Sequence, residues 1–183
     1  LPELAQVPGI RRALVGLGMG PDCRLSSRTW PLPYDFVTVV CGALGELALG
    51  ELLREPLARK GLRLWRGSPG MFERVADFEV VGPDGPTGVW IDAKNYSMSA
   101  YLASGRDDFK KYRTKACVSG VRFLAVVNLL ADENAEAMGI RVQEKDENAA
   151  RMASVPYLIR NGGVDARMLR ALVKLIEGEV SNG

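Results

Sequence analysis

The chain contains no histidine. Without an imidazole there is no Ser-His-Asp or Cys-His nucleophile, no His-ligated zinc hydrolase or deaminase, and no nuclease whose general base is histidine. Carboxylates, lysines, hydroxyls and bound metals are left to carry any chemistry. Cys23, Cys41 and Cys117 are widely spaced and form no CxxC pattern, which argues against both a disulfide framework and a zinc site. There is no GxxxxGK[ST] phosphate loop and no SxxK dyad, and the glycines at 16, 18 and 20 meet Pro21 where a dinucleotide fingerprint needs its third glycine. No apolar run approaches the roughly 20 residues of a membrane span, and no charged-then-apolar leader opens the chain. A soluble, cytoplasmic protein with no membrane partner is expected.

What is present is ordinary globular material. The 183 residues, 47% apolar and 25% charged, suit one domain with a sizeable core. A net charge of +2 is too small to name a nucleic-acid partner by itself. The apolar, Pro/Gly-punctuated start at Leu1 reads as a domain cut from something longer. Residues 1–34 hold one short helical candidate, "GIRRALVGL", and an irregular stretch ending in "WPLPYD"; they read as an N-terminal extension or cap on a main domain over 35–183.

In that main domain Asp35 is an N-cap candidate for an amphipathic helix with Phe36, Val39, Val40, Ala43, Leu44 and Leu47 inward, ending at Glu55 before Pro56. "GLRLWRG" alternates like a strand. "VADFEVVG" and "TGVWIDAKNY" flank the turn composition "GPDGPT", which predicts a β-hairpin. Residues 106–118 read as a helix, and "VRFLAVVNLL" as a strand covered on both faces. A polar segment follows, with a short strand at Ile140–Gln143. "VPYLIRN" is another strand candidate, and Asp165 caps a closing helix with Leu169, Leu172, Val173 and Ile176 inward. The order predicts an α/β sandwich around a mixed sheet.

The hairpin carries the chemistry. A turn centred between Asp84 and Gly85 places Asp77 opposite Asp92 and Val75 opposite Lys94. Facing carboxylates destabilise a sheet unless something positive lies between them, and such a pair is what a hard divalent cation needs. Lys94, two residues after Asp92, shares its face. The other face, with Ala76, Phe78, Val80, Val89, Ile91 and Ala93, is apolar. Because Trp90 and Val75 share the polar face, the Asp35–Glu55 helix is expected to cover it, with Glu46, flanked by Gly42 and Gly50, reaching the Asp77/Asp92 pair.

Glu46 in a first helix, Asp77 on a second strand and Asp92-Ala93-Lys94 on a third together resemble the PD-(D/E)xK nuclease superfamily, the restriction-endonuclease-like fold. The resemblance covers roughly half the chain, from Asp35 to Leu130, and departs from the family's name in having Ala76 where it has proline. A second D-x-K, Asp108-Phe109-Lys110, falls in a helical pattern and has no facing carboxylate. The resemblance implies a three-layer sandwich with a central mixed sheet flanked by helices. It also implies catalysis by Glu46, Asp77, Asp92 and Lys94, with Mg²⁺ or Mn²⁺ held by Asp77, Asp92, the Ala93 carbonyl and Glu46. Lys111 and Lys115 on the following helix, and Tyr96 and Ser97 after the D-x-K strand, are the candidate nucleic-acid contacts.

The function expected is a metal-dependent endonuclease, on DNA in preference to RNA, as one domain of a larger protein. Two other readings stand beside it. One is a C-terminal toxin domain that cuts DNA or tRNA in a target-cell cytoplasm and is neutralised by an immunity protein. The other is a non-catalytic nucleic-acid-binding module, against which the retention of all four polar residues argues. A carboxylate-pair glycosidase would not need Lys94.

Overall fold

The computed structural model describes residues 34–66, 76–94, 113–114, 116–117, 119–129, 139–147, 149–160 and 163–183, with side chains in the first helix from Gly45 onward. The first 33 residues, the loop around 70, and Tyr96, Ser97, Lys111 and Lys115 lie outside this set.

Helix α1 spans Tyr34–Ala58. It begins one residue before the expected cap and runs through Pro56, because a proline in the last turn forfeits one backbone hydrogen bond while the turn still buries Leu57. Its inward positions are Ala48, Leu49, Leu52, Leu53 and Leu57, whereas Leu47, expected inside, is 44% exposed. Strands β1 (Arg63–Trp65), β2 (Phe78–Gly82), β3 (Gly85–Lys94), β4 (Phe123–Asn128), β5 (Arg141–Gln143) and β6 (Arg151–Val155) form one sheet in the order β1-β2-β3-β4-β6-β5. The β1-β2-β3 meander is antiparallel, β3-β4-β6 is parallel, and β5 returns antiparallel on β6. A small hairpin, β7 (Ile159–Arg160) with β8 (Gly163–Val164), leads to helix α2, Ala166–Ser181. The Asp165 carboxylate caps α2 by accepting from the Arg167 and Met168 N–H groups. Among the described residues the architecture is α/β: a mixed six-stranded sheet with two long helices.

The sheet strand near 155 is "RMASV", not "VPYLIRN". Its small Ala and Ser side chains carry no strand signature, yet four of its five residues are buried, because a parallel strand beside β4 is covered on both faces.

Both helices pack on one face. Leu49 and Leu53 of α1 and Leu172 and Ile176 of α2 join Phe78, Val80, Val89, Ile91, Phe123, Ala125 and Val127 in the main core. The opposite face carries a smaller core of Leu124, Val126 and Met152, covered by Ala116 and Val121, with Trp90 and Cys117 packed against it. Helix α1 therefore covers the apolar face, contrary to expectation. Phe78 provides the seat with Gly50 against its ring, where a Cβ would sit 3.5 Å away, in ordinary van der Waals contact.

The β2-β3 register pairs Phe78 with Ile91, Glu79 with Trp90 and Val80 with Val89, as the sequence arithmetic requires. The turn itself is displaced: Gly82 pairs with Gly85, so Pro83 and Asp84 are its central residues, and a bulge at Thr87 and Gly88 restores the register. The bulge is well supported. Thr87 Oγ1 donates to Val80 O and accepts from Val89 N, while Arg122 donates through its backbone N–H to Gly88 O and through its guanidinium to Thr87 O. Gly88 has φ 70°. Gly88→Ala is expected to destabilise the fold by about 1–2 kcal/mol in chemical denaturation, the cost of an L-residue in the left-handed region.

Candidate functional site

Asp92 sits near the C-terminal end of β3 and is 4% exposed. Three observations define its surroundings. Lys94 Nζ lies 2.5 Å from Asp92 Oδ2, an ion pair between two largely buried side chains. Asp92 Oδ2 is itself buried, so the Lys94 ammonium takes the place of solvent at that atom. Asp77, in the bend one residue before β2, accepts the Ala93 N–H through Oδ2 at 2.6 Å, and its carboxylate lies close enough to Asp92 to interact with it.

Asp77 thus replaces the ladder partner that β2 no longer supplies. In a strand the N–H and C=O of one residue point to the same edge, so the Ala93 carbonyl is directed to the edge where Asp77 sits.

Burial pushes the Asp92 carboxyl up to about 6; Lys94 opposes that rise, and the neighbouring Asp77 carboxylate adds to it. Two carboxylates and one ammonium share a poorly hydrated corner, an arrangement that favours binding one more positive charge, whether a proton or a metal ion.

Glu46 is elsewhere. It is ion-paired with Arg66, whose guanidinium lies over the Phe78 ring at 5.7 Å, on the face covered by α1. Among the described residues no three Cys, Asp or Glu side chains converge in a metal-binding group. The sequence places Glu46 correctly at the margin of its helix, but assigns that helix to the wrong face of the sheet. Glu46→Ala is expected to cost less than about 1 kcal/mol of stability in urea denaturation.

Two buried polar residues not singled out from the sequence lie on the Asp92 face. In the parallel register Asp92 pairs with Val126 and Val126 with Ser154, while Lys94 pairs with Asn128. Asn128 is fully buried and donates Nδ2 to Pro156 O at 3.2 Å; Ser154 is 8% exposed. Polar side chains from β3, β4 and β6 therefore gather at the C-terminal ends of parallel strands, where open α/β sheets place their ligands. The signal available in the sequence was Asn128 itself, the one polar side chain in the apolar run from Phe123 to Leu130.

Glu79, also on this face, is a different case. It is 8% exposed, its carboxyl is raised by burial, and the Gly88 backbone N–H opposes that rise. It supports the bulge.

No family model matches the chain, and no curated protein is significantly similar to it.

Proposed function

We propose that this protein is a divalent-metal-dependent phosphodiesterase, an endonuclease of restriction-endonuclease-like fold that acts on nucleic acid, DNA in preference to RNA. The observation that carries this reading is the buried Asp92 carboxylate, paired with Lys94 and with the Asp77 carboxylate as its neighbour. A structural ion pair does not need the second carboxylate, which costs stability beside the first. The order of elements supports the fold: a helix, an antiparallel three-stranded meander, helical residues at 113–114 and 116–117, then a parallel strand beside β3.

The donor set fits a hard cation. Asp77 and Asp92 supply charged oxygens and the Ala93 carbonyl a neutral one on the same edge, the ligand chemistry of Mg²⁺ or Mn²⁺. When bound, such an ion acidifies water and offsets charge on a scissile phosphate. The chain's own contributions are separable. Asp77, held by the Ala93 N–H, is already oriented towards Asp92. Lys94 places an ammonium beside Asp92, where it would bind a phosphate oxygen, stabilise the charge that develops there, and orient the attacking water. The sheet beneath excludes solvent, which strengthens each of these interactions.

Isothermal titration with Mn²⁺ tests the ligand assignment. Wild type is expected to bind one ion, and Asp92→Ala to lose at least about tenfold in affinity. Equal affinity of the two proteins would remove Asp92 from the site.

A further inference from the structure

The face that carries Asp92 also carries a row of side chains that the hydrolytic chemistry does not use. Trp65 on β1, Glu79 on β2 and Trp90 on β3 are successive register partners. Leu64 packs on the opposite face with Val80 and Val89, so Trp65 projects on the same side as Trp90 and Asp92. Trp90 is half-buried against Leu124 and Met152. Trp65, on the edge strand of the sheet, is 41% exposed. Arg63, two residues earlier on the same face, is exposed as well. Glu79 between the two indoles is covered, with the Gly88 N–H at its carboxyl, so it presents no open anion to a passing phosphate.

We propose that Trp65 is a stacking platform for an unpaired base of the nucleic-acid strand, with Arg63 contacting the adjacent backbone. The proposal rests on the nuclease reading and deepens it by naming the substrate class as single-stranded nucleic acid or a single-stranded overhang. Two strand spacings and two residues along β3 separate Trp65 from Asp92, roughly 12 Å. That distance corresponds to a few nucleotides at about 3.4 Å per stacked base. A base bound there belongs to the same strand as a phosphate at Asp92 and Lys94. In a duplex both faces of every internal base are already stacked, so only an unpaired base can use an indole in this way.

The test is fluorescence anisotropy with a labelled single-stranded 12-mer and its duplex, in EDTA to prevent cleavage, with cleavage in Mn²⁺ measured separately. Trp65→Ala is expected to weaken single-strand binding about 5- to 100-fold, and Trp65→Phe to retain most of it. Duplex binding should not respond to either substitution, and Arg63→Ala should lower the salt dependence of single-strand binding by about one unit. Single-strand binding by Trp65→Ala equal to that of wild type, or no binding by wild type, would overturn the proposal. The outcomes also separate the two readings. Trp65-dependent binding without any cleavage keeps the platform and defeats the hydrolytic reading; cleavage with Trp65-independent binding does the reverse.

Discussion

Asp92→Asn is expected to reduce metal-dependent cleavage by about 10³-fold or more, while making the metal-free protein more stable at pH 8. Both effects come from one carboxylate. Its folded-state value of about 6 lies above the 3.8 of an exposed aspartate, so between those limits the folded state binds more protons than the unfolded state. Stability from this group therefore falls as pH rises through about 4 to 6 and is flat above, the reverse of a salt-bridged surface aspartate. At 1.36 kcal/mol per unit the ionised form costs up to about 3 kcal/mol, and an amide avoids that cost while giving up the attraction of Lys94. A gain of about 1–3 kcal/mol is expected for Asp92→Asn in EDTA at pH 8, shrinking towards pH 5. Urea denaturation at the two pH values measures it. A variant that is inactive and destabilised at pH 8 would mean that Asp92 serves the fold instead of a ligand.

Lys94→Ala is expected to separate binding from catalysis. The ammonium 2.5 Å from Asp92 Oδ2 competes with any cation for that oxygen. Its removal should leave Mn²⁺ affinity at pH 8 unchanged or tighter, while cleavage falls about 10²- to 10³-fold, the usual cost of losing one positioned charge-stabilising donor. The Asp92 carboxyl should titrate higher still, because Lys94 is the group that holds it down. Titration calorimetry beside single-turnover cleavage reads both quantities. Loss of metal affinity together with cleavage would make Lys94 a structural support for the carboxylates.

Much of this site was legible in the sequence because strand parity and hairpin register are geometric. Two-residue periodicity put Asp92 and Lys94 on one face, and the pairing arithmetic holds from Phe78 to Val80 even though the turn lies one residue earlier, since the Thr87-Gly88 bulge absorbs the difference. Asp77 lies beyond that ladder and reaches Asp92 and the Ala93 N–H through its side chain. Helix placement was not legible in the same way. An amphipathic helix shows which stripe is buried but not which face of a sheet it buries against, and α1 chose the face with Phe78 and Val80. Glu46 went with it, to Arg66. The strand at 151–155 was obscured for another reason: Ala153 and Ser154 have little strand propensity, and their burial comes from neighbours on β4 and β5 that are remote in sequence. Asn128 was hidden inside an apolar run, and its place beside Lys94 depends on the parallel pairing of β3 with β4.

The most direct test of a metal-dependent nuclease built on Asp77, Asp92 and Lys94 is incubation of the protein with plasmid DNA, single-stranded DNA and total tRNA, in Mg²⁺, Mn²⁺ or EDTA, beside Asp92→Ala and Lys94→Ala. Cleavage in Mg²⁺ or Mn²⁺, abolished by EDTA and by either substitution, is the predicted result. Metal-dependent cleavage that survives both substitutions, or no cleavage of any of the three substrates under any condition, would contradict it.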